Sequence, residues 1–113
     1  MINRKWIFVF FGGALISGQA LSLSNESFKV SQVDVTKGLG IVWIDASSKE
    51  IANRPVCDPK NYNAVACEIS DDFCKAMISI ALTAKSTNNV VDFEYDGQCK
   101  DVFATGSRFR LSN

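Results

Sequence analysis

The residues best equipped for chemistry in this sequence are four cysteines, Cys57, Cys67, Cys74 and Cys99. A thiol can act as nucleophile, ligate a metal or join in a disulfide, and its neighbours decide which. No histidine occurs anywhere in the chain. That removes the general base of Ser-His-Asp and Cys-His catalysis and the imidazole ligands of the common zinc hydrolases. No Cys-x-x-Cys spacing occurs either, which disfavours a zinc site. An even cysteine count then reads as a disulfide framework with three pairings open. The expectation is a protein that is not an enzyme and has no catalytic residue, metal ligand or cofactor.

The other polar constellations have simpler readings. Asp71 and Asp72 are adjacent, and neighbours on a helix do not face one another, so they serve as N-terminal helix charges rather than as a catalytic pair. Asp92 to Gly97 imitates the start of a calcium loop, but the twelfth position is Phe103 where a glutamate is required. Gly38 and Gly40 read as turn glycines. Arg108 and Arg110 stand two apart on one strand, hence on one face, and could receive an anionic sugar or carboxylate. Trp43 and Tyr62 could stack on a sugar ring. Trp43 lies in an apolar stretch and is expected in the core, whereas Tyr62 lies in a loop. Tyr62, Arg108 and Arg110 are therefore the candidate ligand-binding residues. Asn25-Glu26-Ser27 fits an N-glycosylation pattern, which has meaning only in a eukaryotic secretory pathway.

The N-terminus sets the compartment. Arg4 and Lys5 precede the apolar run WIFVFFGGALI (6–16), and small residues follow at Gly18 and Ala20. This is the order of a cleavable signal peptide over residues 1–20. The polar residues Ser17, Gln19, Ser22 and Ser24 interrupt what a membrane anchor would need. The expected mature protein is exported, periplasmic or secreted, with no stable membrane insertion. Twelve basic and twelve acidic residues balance in the whole chain; removing Arg4 and Lys5 leaves ten against twelve, a net of −2. Nucleic acid is excluded as a partner by the lack of a basic surplus.

The elements that must position these groups follow from periodicity. Residues 21–27 read as a flexible lead-in and 28–113 as a single domain. A strand is expected over 28–35, with a bulge where the apolar phase shifts at Gln32. A turn at 36–40 and a second strand at 41–44 complete a hairpin. A short third strand is expected at Arg54-Pro55-Val56-Cys57, followed by loop to residue 66. Ser70 is the expected N-cap of a helix over 73–85, ended by Asn88-Asn89. Its polar stripe is only Lys75, Ser79 and Thr83, too narrow for a helix that buries one face. Either the helix is sunk deep or its outer face meets another subunit, as in a homo-oligomer. A strand at 90–95, with Val91, Phe93 and Tyr95 inward, turns at Asp96-Gly97. A final strand or bent pair puts Phe109 and Leu111 inward. One helix between the third and fourth of five strands gives a β-rich α+β fold, a small, partly open OB-like barrel.

Arg54-Pro55-Val56-Cys57, the stretch AMISIALTA (76–84), Val90-Val91 and Gly97-Gln98-Cys99 resemble a family of short exported bacterial proteins of uncharacterised function. That family is similar in layout to the B subunit of subtilase cytotoxin, a pentameric glycan-binding protein of OB-like fold. The resemblance covers 33–111. Its two-cysteine frame implies a Cys57–Cys99 disulfide and leaves Cys67 and Cys74 for each other. By loop-closure entropy the two bridges are worth about 4 and about 2.5 kcal/mol. The resemblance implies an exported binding module for a glycan or protein ligand, oligomeric like a toxin B subunit. The alternative is a monomeric periplasmic accessory or inhibitor domain.

Overall fold

In a computed structural model of the chain, residues 24–60 and 62–112 are described. The expected signal peptide and residues 21–23 lie outside them. Five strands and one helix follow in the order β1 (Ser24–Thr36), β2 (Leu39–Asp45), β3 (Ala64–Glu68), α1 (Asp72–Thr87), β4 (Val90–Lys100) and β5 (Phe103–Ser112). Around the ring the strands run β1-β2-β3-β5-β4, and β4 returns to β1. All pairings are antiparallel except β3–β5, which is parallel and rests on the single pair Ala66↔Thr105. The expected OB-like barrel is present, and it is partly open at that seam.

β1 closes the ring by serving two neighbours. Its first half pairs with β4 from Ser24↔Glu94 to Lys29↔Val90, and its second half pairs with β2 from Lys29↔Asp45 to Thr36↔Leu39. The bulge expected at Gln32 lies between Val30 and Gln32. Such an extra residue bends the strand and lets one chain turn a barrel corner. β1 begins at Ser24, so residues 24–27, expected as lead-in, belong to the sheet. Lys37 and Gly38, with φ of 49° and 80°, make the tight hairpin turn to β2.

Gly40 is not a turn residue. It lies in β2, and a Cβ there would meet Ile78 Cδ1 at 2.5 Å and Cys74 Sγ at 2.9 Å. The glycine lets the helix sit directly on the sheet. The inward faces of β2 and β3 supply Val42, Ile44, Val65 and Cys67, which join Phe28, Met77, Val91, Phe93, Tyr95 and Phe109 in the core. Leu39, Ile41, Ala64 and Ala66 form a second cluster with Trp43 and Phe103 packed against it. Strand alternation places these β2 and β3 residues on the opposite, outer face of the sheet.

Four expectations about element boundaries are corrected. Residues 54–57 form no strand; the third strand is Ala64–Glu68, inside the stretch expected as loop. Its alanines and the polar residues before it hide a period-2 pattern, with Val65 and Cys67 inward and Ala64 and Ala66 outward. Asp71, not Ser70, caps the helix, in extended backbone geometry and without a side-chain cap hydrogen bond. Asp96-Gly97 does not reverse the chain. It sits in a bulge of β4 between Tyr95 and Cys99, with Gly97 at φ 82°, and the reversal follows at residues 101–102. Leu111 is 39 % exposed although Phe109 is buried, because β5 ends one residue later.

The helix buries Cys74, Met77, Ala81 and Ala84. Small residues on this face let it approach the barrel closely. It is not sunk deep: Leu82 is 52 % and Phe73 37 % exposed. Its C-terminus follows the expectation. Asn88 adopts the left-handed conformation, and Asn89 donates its backbone N–H to the Ala84 carbonyl. Lys29 Nζ on β1 donates to Asn88 Oδ1 at 2.7 Å, tying that end to the sheet.

Candidate binding cleft

Between β2 and β3 the described residues of 46–63 have no regular structure. A loop this long inside a small domain is unusual and is commonly functional. It starts with an Asx-type turn, in which Ser47 N–H donates to Asp45 Oδ1 at 3.0 Å. Hydrogen bonds from Ser47 hold the Asp45 carboxyl below its ordinary pKa. Asn53 and Arg54, Ala46, Glu50 and Ile51, with Asn63 at the far end, line an open cleft of about 540 Å³. That volume is within the range of small-molecule sites, about 300–1,000 Å³.

Local contacts hold this irregular segment in shape. Asn25 on β1 is 4 % exposed. Its Nδ2 donates to the Ala52 carbonyl at 2.8 Å, and its Oδ1 accepts the Ala52 N–H at 2.7 Å. A side-chain amide thus replaces the backbone partner that a strand would have provided. Ile51 is buried against the main core. Lys49 donates to the Glu26 carbonyl at 2.7 Å and lies 4.8 Å from the centre of the Phe28 ring. The Cys57–Cys99 disulfide bolts the segment to β4, and Cys67–Cys74 joins β3 to the helix. Both bridges are those implied by the family resemblance.

Arg54 organises the far wall. Its Nη1 donates to the Tyr62 carbonyl at 3.5 Å and to Asn63 Oδ1. Its Nε is buried without a hydrogen-bond partner. Beneath this wall the Tyr95 hydroxyl donates to the Ala64 carbonyl at 3.4 Å. Burial pushes the Tyr95 pKa up to about 12, opposed in part by the charge of Arg54.

Tyr62 leads from the cleft to an aromatic cluster. Trp43 meets both Tyr62 and Phe103 edge to face, with ring centres 5.6 Å apart in each case. Tyr62 and Phe103 lie 5.5 Å apart at an interplanar angle of 31°. All three side chains are half-buried. Trp43 is therefore not a main-core residue as expected: it packs on the outer face with Tyr62, and its Nε1 is buried without a partner. The sequence showed two aromatics with stacking potential. It gave no sign that Phe103, 41 residues beyond Tyr62, would join them.

The other two candidates are elsewhere. Arg108 and Arg110 do share a face of β5, and each stands opposite a carboxylate of β4, in the register Glu94↔Arg108 and Asp92↔Arg110. Arg110 places Nε and Nη2 each 2.8 Å from Asp92 Oδ2. That bond to Asp92 raises the Arg110 pKa above its ordinary value. Arg108 donates Nη2–H to Ser24 Oγ at 2.9 Å, and its Nε lies 3.7 Å from Glu94 Oε2. The two arginines brace the β4–β5 ladder, and Asp92, the first residue of the imitation calcium loop, is committed to Arg110. Neither arginine lines the cleft.

Comparison with protein-family models, with curated proteins and with solved structures finds no match to this chain. Among the described residues no helix is long and apolar enough to cross a membrane.

Proposed function

We propose that this protein is an exported, non-enzymatic binding module that holds a saccharide in the cleft of segment 46–63. The observation that carries this reading is that Asn63, which lines the polar cleft, follows directly on Tyr62, which belongs to the aromatic cluster. Saccharides present hydroxyl edges and apolar C–H faces, so a site for them needs both surfaces side by side. OB barrels in general bind oligosaccharides and oligonucleotides on the face of strands 2 and 3, and Trp43, which packs against Tyr62, lies on β2. That agreement is fold-level analogy. The two disulfides accord with export. Exposed Leu82 and Phe73 on the helix accord with assembly into a homo-oligomer. Binding of the exported protein to an oligosaccharide array, with loss on Tyr62→Ala and Asn63→Ala, is the expected result. A correctly folded protein that binds no member of the array would remove the reading.

A second reading, a protein-interaction domain of the cell envelope, is favoured by Val56. This residue projects from the same segment with 80 % of its surface exposed. It predicts one stable protein partner under crosslinking in the periplasm, lost on Val56→Asp.

A further inference from the structure

We infer that the ligand of the cleft is an uncharged saccharide bearing vicinal hydroxyls, rather than an acidic sugar or an amino sugar. This inference rests on the binding-module reading above and narrows its substrate class. Among the described residues the charged side chains lining the cleft are one carboxylate, Glu50, and one guanidinium, Arg54. Their formal charges cancel.

Each of the two groups opposes one class of charged ligand. Arg54 already spends Nη1 on the Tyr62 carbonyl and Asn63 Oδ1, and its Nε is buried. The other two arginines among the described residues are held against Asp92 and Glu94, outside the cleft. Glu50 is exposed and has no ion-pair partner among the described residues. An acidic sugar would therefore bring its carboxylate towards an unpaired carboxylate. Desolvating like charges together is the standard means by which a site rejects a wrong ligand. An amino sugar meets the opposite problem, because Arg54 donates to neutral acceptors and keeps its positive charge in the same cleft.

An uncharged diol meets neither obstacle. Glu50 can accept from two neighbouring hydroxyls, since a carboxylate is an acceptor with several lone pairs. Asn63 uses its side-chain oxygen on Arg54, which leaves its two N–H donors for the hydroxyl oxygens. Neither aromatic ring lines the cleft, but Tyr62 precedes Asn63 and its carbonyl accepts from Arg54, so the half-buried Tyr62 and Phe103 rings are the neighbouring apolar surface for the C–H face of the sugar.

The test is titration calorimetry of the exported protein with matched oligosaccharides. Each set shares one neutral core and differs only in a terminal residue that is neutral, carboxylated or amino-substituted. The neutral member is expected to bind at least about tenfold more tightly than either charged one. Its affinity should change less than about twofold between low and high salt, because no net charge is being paired. Glu50→Gln, which keeps the shape and removes the charge, is expected to admit the carboxylated member while weakening the neutral one. Tighter binding of the carboxylated sugar by the unaltered protein, with strong salt dependence, would overturn the uncharged class and leave the binding-module reading standing. The same holds for tighter binding of the amino sugar. Binding by no member, or binding untouched by Tyr62→Ala and Asn63→Ala in protein of unchanged circular dichroism, would overturn both.

Discussion

Each of the two disulfides anchors a region of different kind. Cys67–Cys74 spans a sequence separation of 7 and is sealed in the core, with the sulfur-bearing residues 6 % and 0 % exposed. The helix it clamps is also fixed by Met77, Ala81 and Ala84 packed on the barrel and by Gly40 beneath Ile78. Cys57–Cys99 spans a separation of 42, and Cys99 is exposed. The segment it holds has no ladder, one buried aliphatic residue and a set of individual polar contacts. The clamped region gains stability from packing that would exist without its disulfide. The tethered region has little packing, and its shape depends on a few specific bonds. Binding sites belong on the second kind of region, where backbone and polar side chains are not consumed by the fold.

The sharpest test of this contrast is to remove each bridge in turn. Cys57→Ala with Cys99→Ala is expected to lower unfolding stability by about 4 kcal/mol, the loop-closure value for a loop of that length. Urea titration would measure it. Cys67→Ala with Cys74→Ala loses about 2.5 kcal/mol by the same reasoning. The accessible bridge should also be the first reduced by a small dithiol, as read by alkylation and mass spectrometry. Reduction of Cys67–Cys74 ahead of it would break the comparison.

Tyr95 joins the two regions, since it fills the core and supports Ala64 next to the cleft. Its phenol ionises near 10.0 when unfolded and about 12 when folded. Between those values the unfolded chain sheds a proton that the folded chain keeps, so stability falls as pH rises through that window. The loss attributable to this group reaches about 3 kcal/mol once both values are passed. Tyr95→Phe should flatten that alkaline slope in thermal melts recorded from pH 9 upward, and an unchanged slope would show that the phenol is not the group responsible.

Asn25→Ala leaves the N–H and C=O of Ala52 without their partner and is expected to cost about 2 kcal/mol. The local signature matters more. Amide exchange should rise across 49–54 and stay unchanged in the helix. An equal rise in the helix would mean that the tethered segment and the clamped region open as one unit. Gly40→Ala presses a methyl group on the flexible end of Ile78 and on the Cys74 sulfur of the buried disulfide, at a cost of about 2 kcal/mol. Its consequence should be confined to the helix, with ligand affinity unaltered.

The sequence was most informative where interactions are local. The glycine after Lys37, the asparagines after Thr87 and the broken apolar phase at Gln32 each announced a turn, a cap or a bulge correctly. It was least informative where the partner is distant. Ala64 and Ala66 carry weak strand signals and became a strand because β2 lay beside them. Gly40 looked like a turn residue because nothing nearby in sequence showed that a helix would press on it. Arg108 and Arg110 looked available because the carboxylates opposite them belong to another strand. Of the site, Tyr62 was legible as a loop aromatic. Glu50, Asn53, Arg54 and Asn63 were not, since scattered polar residues in a loop carry no pattern.

What the sequence alone determined is therefore the near-neighbour grammar: a helix ended by asparagine, a hairpin, a strand with a bulge and an even set of cysteines with no histidine to ligate metal. The tertiary structure decided which groups remain available to a ligand. It closed two arginines onto Asp92 and Glu94, brought Phe103 to Trp43 and Tyr62, and left Glu50 exposed in a cleft with Arg54. Those outcomes depend on strand register across the barrel, where a shift of one residue sends every side chain to the other face.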